Sequence, residues 1–243
     1  MAKEKEEIFD IPDFGNFDFD LDIGDFDLDT SEIADDNNRY IKPRLVPMRE
    51  SQILYDNALA LARHIQITKQ DRYDCIVSGS FIFGDFIEAF LTLNNCKAKN
   101  MVITTLSMSQ ENVDSLATLL QKGYIDKLDL LVSDYFFSHE RHGLIPYIYK
   151  ELDFDNKVQL SVAFVHTKTV HFETLGGKKI VIHGSANLRT SGNVEQFTIE
   201  ENSELYDFYE QTFRPVIDRF LTINKTAPRK TPWADMINKK FNN

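Results

Sequence analysis

Hydrophobic and polar positions follow three successive rhythms along the 243-residue chain. The opening stretch, IFDIPDFGNFDFDLDIGDFDLDTSEIADDNN, alternates carboxylates with Phe, Leu and Ile. Strict alternation suits a half-buried strand, but strands deplete Asp, and Pro12, Gly15 and Gly24 interrupt the pattern. The expectation is an acidic disordered segment over residues 1–40.

From Tyr40 onward the pattern becomes regular. RESQILYDNALALARHIQ places Ile53, Leu54, Ala58, Leu61, Ala62 and Ile65 at helical spacing, and YDCIVSGS reads as a short buried strand. A helix at GDFIEAFLTL, a strand at NMVITTLS, a helix from Ser109 through VDSLATLLQ, a strand at KLDLLVSD and a helix around HGLIPYIYKEL follow. Strands alternating with helices of this length predict an α/β fold, a parallel or mixed sheet flanked by helices on both faces. No repeat of about 20–50 residues is visible.

After Asn156 the strands crowd together. VQLSVAFVHTKTVHF reads as one long strand, followed by KKIVIHGS and VEQFTIE, with the Gly176–Gly177 turn of TLGGKK joining the first two as a hairpin. A closing helix is expected from an N-cap at Ser203, with a kink at Pro215. The resulting division is an acidic segment 1–40, a folded domain 41–223 and a basic tail 224–243.

Charge refines this division. The net charge of −11 sits entirely in residues 1–40, which hold 14 Asp and Glu against 3 Lys and Arg, whereas residues 41–243 balance 24 against 24. The acidic head is either a solubilising tail or a strip of Phe and Leu anchors that docks on a basic groove of a protein partner or of this chain. Beyond Leu221, Lys225, Arg229, Lys230, Lys239 and Lys240 face Asp235 alone. No run of about 18 apolar residues occurs, and MAKEKEEIFD lacks the layout of a signal peptide, so no membrane contact and a cytoplasmic location are expected. Cys75 and Cys96 have neither disulfide-scaffold nor zinc-motif spacing and read as core or near-surface thiols.

Chemistry concentrates in VHTKTVHF. On a strand, His166 and Lys168 share one face while Thr167, Thr169 and His171 share the other. A metal site of His166, His171 and His183 is disfavoured by the adjacent Lys168 and by the opposite facing of His171, so neither metal nor cofactor is expected. Taken alone, the HxK pair is equally consistent with a core histidine beside a snorkelling lysine.

The next strand ends in HGSANLRTSGNVEQ, containing Gly184, Ser185, Asn187, Asn193 and Glu195. HxK followed by GSxN and a later acidic residue resembles the phospholipase D superfamily over about residues 155–210. Glu173 stands where that family has Asp, a position that is mainly structural there. SGSFIFGD lacks the Gly-Lys-Ser/Thr ending of a P-loop, and GSAN is not a GxSxG nucleophile elbow.

The resemblance implies a metal-independent phosphodiesterase with a phospholipase D-like sheet. His166 would attack phosphorus, Lys168 and Asn187 would hold the non-bridging oxygens, Ser185 and the backbone at Gly184 would add donors, and Glu195 would orient the imidazole. The family uses two HxK motifs, and this chain has one, since neither His64 nor the HERH histidines His139 and His142 precede a Lys by two. Single-motif members form the site in a homodimer, which is the implication here. Nucleic acid is the expected substrate, because no lipid-binding helix is evident and the C-terminal end is basic. The competing expectations are a degenerate relative that binds nucleic acid or nucleotide phosphate without cleaving it, and an adaptor recruiting a partner through the acidic head.

Overall fold

The computed structural model describes residues 39–41, 44–46, 49–50, 53–55, 58–67, 71–77, 81–189 and 193–222. The acidic segment up to residue 38 and the basic tail 224–243 lie outside the described residues. The elements run β1 (Arg39–Ile41), β2 (Arg44–Val46), β3 (Arg49–Glu50), β4 (Ile53–Tyr55), α1 (Ala58–His64), β5 (Arg72–Val77), α2 (Phe83–Leu93), β6 (Ala98–Thr105) and α3 (Gln110–Gln121). They continue through β7 (Leu128–Ser133), α4 (Asp134–Glu140), α5 (Leu144–Leu152), β8 (Val158–Ala163), β9 (Thr169–Thr174), β10 (Lys179–Gly184), β11 (Glu195–Glu201) and α6 (Ser203–Arg219). All belong to one compact unit, Asp36–Asn243.

The main sheet is mixed, in the order β3-β2-β5-β11-β10-β9-β6-β7-β8. β6, β7 and β8 run parallel, while β9, β10 and β11 alternate in direction between β6 and β5. The C-terminal ends of β5, β6, β7, β8 and β10 therefore share one edge with the starts of β9 and β11. The expected α/β architecture is present, with helices on both faces.

One face carries the larger core. Phe86, Ile87, Leu91, Leu116, Leu119, Ile145 and Leu152 of the helices pack against Met101, Ile103, Leu130, Leu160, Phe172 and Ile182 of the strands. On the other face α6 sets Phe213 and Ile217 against Val102 and Leu131. Adjacent residues of β6 thus serve opposite layers, as the period-two pleat requires. The β9–β10 hairpin is as expected, with Gly177 at φ 83° in the turn.

Three local expectations are corrected, and one further helix is added. Ile53 and Leu54 belong to β4, paired antiparallel with β1, and the helix starts only at Ala58. The DYFFSHE segment after β7 forms α4, with the Ser133 hydroxyl accepting from Phe136 N as its N-cap. The run VQLSVAFVHTKTVHF is two strands, because β8 ends at Ala163, where Val165 N donates to Ala163 O at 2.9 Å and turns the chain. The closing helix begins at Ser203 as the first helical residue, with Asn202 as the cap that accepts from Leu205 N.

Candidate functional site

His166 and Lys168 lie on the link between β8 and β9, not on a strand face. Threonines fasten this link to the end of β6: Thr167 Oγ1 donates to Thr104 Oγ1 at 3.0 Å, and Thr169 N donates to the same oxygen at 3.2 Å. Thr104 is buried, so the clasp is held from below. The His166 ring remains exposed and Lys168 is half-buried. Lys168 Nζ lies 3.2 Å from His166 Nδ1 and donates to His166 O at 2.9 Å. Burial holds the ammonium below its ordinary pKa, and the Glu195 carboxylate opposes that shift.

Gly184 ends β10 against β11. An added Cβ would sit 2.2 Å from Gln196 O and 2.6 Å from Phe197 Cα, so only hydrogen fits in that direction. Its N–H donates to Lys168 O at 3.2 Å, linking the two motif segments through their backbones. Ser185 N donates to Gln196 O at 2.9 Å, Gln196 N donates to Ser185 Oγ at 3.0 Å, and the Ser185 hydroxyl donates to Glu195 Oε2.

Asn187 is set by β6 as well. Its Oδ1 accepts from Leu106 N at 3.3 Å, which assigns the amide's other end as the outward donor. The flanking residues are pinned: Ala186 and Leu188 are buried, Leu188 N donates to Thr105 Oγ1 at 3.3 Å, and Ser109 N donates to Leu188 O at 2.8 Å. Asn187 and Glu195 open onto a shallow depression with Val77, Phe81, Phe83, Ala186, Arg189 and Asn193. Its floor is rigid, since Phe81, Phe83 and Phe197 interlock at centroid distances of 5.2–6.4 Å.

The structure thus gathers Gly184, Ser185 and Glu195 around one short network, ties it to the His166–Lys168 link, and holds Asn187 two residues further along the same loop. One role differs from expectation within the single chain. The contact on the His166 ring comes from Lys168, and Glu195 is engaged by Ser185. The anchoring residues Thr104, Thr105 and Leu106 carry no motif, and only their position at the end of a buried strand could have marked them.

Other flagged residues lie elsewhere. Glu173 pairs with Lys99 at 2.7 Å. His171 is fully buried beneath α6, with Nε2 3.3 Å from Glu210 Oε2. His183 Nε2 lies 3.5 Å from Glu200. His139 Nδ1 contacts Tyr135 O, and His142 Nε2 accepts from Arg141 Nε. Burial pushes the Cys75 thiol far up and the Cys96 thiol up to about 11, which keeps both protonated. Among the described residues no helix is long and apolar enough to cross a membrane.

No protein-family model and no curated protein matches the sequence. Several solved structures are similar. Nuc of Salmonella typhimurium, a phospholipase D family member, is 11% identical, with 51% of this chain covering 81% of that one at a TM-score of 0.41. NucT of Helicobacter pylori is 14% identical, with 52% of this chain covering 84% of that one, also at 0.41. Phosphatidylserine synthase of Haemophilus influenzae is 15% identical, with 71% of this chain covering 45% of that one at 0.45. Scores below 0.5 leave the chemistry to be read from the site's own side chains. The likeness to these solved structures extends over 51–71% of this chain.

Proposed function

We propose that this protein is a phospholipase D-like phosphodiesterase, a metal-independent nuclease that works through a covalent phosphohistidine in a homodimeric site. The observation that carries the reading is the meeting, at one sheet edge, of an exposed imidazole, an ammonium against its Nδ1, and a loop offering the Asn187 amide. These are a nucleophile and two groups suited to non-bridging phosphate oxygens.

In the resting geometry an ammonium donating to Nδ1 leaves the proton of a neutral imidazole on Nε2. Binding of a phosphodiester draws Lys168 onto the phosphate oxygens and frees Nδ1 to carry the proton. A Glu195 carboxylate of the dimeric site then accepts from Nδ1–H, and Nε2 attacks phosphorus. The N–P bond forms as the P–O bond breaks, and the leaving oxygen takes a proton from the His166 of the facing chain. That second imidazole next removes a proton from water, whose oxygen displaces His166 from phosphorus. Exposed apolar side chains beside the site support a facing chain: Phe164, two residues before His166, is 96% exposed, and Val194, just before Glu195, is 67% exposed.

The test is His166→Ala, assayed on labelled DNA and RNA with the parent protein in EDTA. Turnover should vanish in the variant while the thermal transition is kept, and the chelator should leave the parent unaffected. Parent-like activity in the variant, or loss in EDTA restored by a divalent cation, defeats the assignment. After confirmed subunit exchange, excess His166→Ala chains should depress activity below that of the diluted parent. Activity that simply tracks parent concentration would mean each chain is complete alone.

A further inference from the structure

Beyond Asn187 the loop continues to Arg189, whose side chain lies between two depressions. One is the site just described. The second runs along the same sheet edge and is lined by Ser107, Ser109, Gln110, Phe136, Tyr147 and Arg189, among others. Arg189 is exposed, and its guanidinium has no hydrogen-bond or ion-pair partner among the described residues, although every residue from Gly184 to Leu188 is fixed by hydrogen bonds or burial. A cation without a partner among the described residues thus directly follows this fixed segment, at the boundary of the two depressions.

We infer that this second depression is a subsite for the single strand of nucleic acid flanking the scissile phosphodiester, with Arg189 as the positioning residue for the neighbouring phosphate. This rests on the phosphodiesterase reading above. Two residues of extended chain span at most about 7 Å, so Arg189 stands one short step from Asn187, and a strand held by the first at the reacting phosphate brings its next phosphate to the second. A planar guanidinium suits a phosphate with paired N–H donors.

The depression beyond Arg189 suits the base of the nucleotide that carries this neighbouring phosphate. It combines a phenol, a phenyl group, a carboxamide and two serines, a mixture of aromatic and hydrogen-bonding groups that suits an unpaired base without a fixed sequence. One carboxylate also lines it, Glu140, and its Oε2 accepts from Leu144 N at 3.3 Å, which engages it with the first turn of α5. A duplex would hold its bases away from such a depression, whereas a single strand can turn one in.

The experiment compares the parent, Arg189→Ala and Arg189→Lys on bis(p-nitrophenyl) phosphate and on single-stranded oligothymidylates of increasing length. The ratio of oligonucleotide to small-diester kcat/KM should fall about tenfold in Arg189→Ala, the expected size for one charge-assisted phosphate contact, and recover in part in Arg189→Lys. Fluorescence anisotropy with the same oligothymidylates should show weaker binding and a log–log salt slope reduced by about one. An unchanged ratio with an unchanged salt slope overturns the subsite. If no variant, the parent included, cleaves either substrate, the phosphodiesterase reading has failed. The anisotropy arm then decides the subsite alone: a loss in Arg189→Ala upholds strand binding, and equal affinity and slope reject it.

Discussion

Replacing Gly184 by Ala tests whether the site depends on how closely β10 and β11 approach. The new methyl would stand 2.2 Å from Gln196 O and 2.6 Å from Phe197 Cα, both backbone atoms that cannot yield by changing rotamer. Relief requires the two strands to separate by about 1 Å, since tight carbon contacts begin near 3.5 Å. Overpacking of this kind costs about 1–3 kcal/mol. Weakening the bonds between Ser185 and Gln196, now at 2.9 and 3.0 Å, adds about 1 kcal/mol. A total of about 3 kcal/mol lowers Tm by about 6–12 °C for a folded unit of this size. Ser185 and Asn187 would shift with the strand end, and a 1 Å misplacement can lower turnover by about 100-fold. Calorimetry and kcat/KM on a labelled oligonucleotide measure the two effects. Gly176→Ala is the control, because its Cβ would meet only Thr174 Oγ1 at 3.7 Å. A Gly184→Ala protein with Tm within about 2 °C of the parent and undiminished turnover would refute the reasoning.

Two further outcomes are expected. The Glu210 carboxyl is held down to about 2, chiefly by its bond with His171 and further by Arg214, which also reaches Asp129 at 2.8 Å. Because the folded value is depressed below the ordinary 4.5, this stabilisation is complete above pH 4.5 and disappears as pH falls through about 2. Glu210→Gln should therefore lower Tm at pH 7 and flatten the acid limb of Tm against pH; an acid limb parallel to the parent's would count against the network. Deleting residues 1–38 removes twelve excess negative charges and leaves β1 in place, so oligonucleotide affinity should rise at low salt and the gain should shrink as salt screens the field. An unchanged affinity at low salt would show that the head does not act on the binding site.

The sequence made the α/β layering legible where burial is continuous. β6 and β7 are apolar on both faces because helices cover both, and their composition says so. It misled where composition and environment part. Val, Thr and Phe between Ala163 and Thr169 carry strand preference, yet Phe164 is solvent-exposed and the chain turns there. The short α4 was hidden because it succeeds β7 with no intervening turn residues. In the site, HxK and GSxN were readable as spacing, whereas the fastening supplied by Thr104, Thr105 and Leu106 comes from a strand some 60–80 residues earlier. The tie between Ser185 and Glu195 depends on how the β10–β11 loop closes, which no local pattern specifies.

The way Asn187 is seated bears on how the protein ages. Its amide oxygen is spoken for by the Leu106 N–H, so the nitrogen is the end that can be presented to an anion. Hydrolytic deamidation to aspartate would keep that oxygen, the side-chain shape and the anchoring bond, and would replace the outward donor by a negatively charged acceptor. A stored sample altered only there would melt like fresh material and give the same circular dichroism spectrum. On the proposed function the loop would nevertheless repel the phosphate assigned to it, and that loss of activity on storage would be visible to peptide mass mapping and not to any measure of folding.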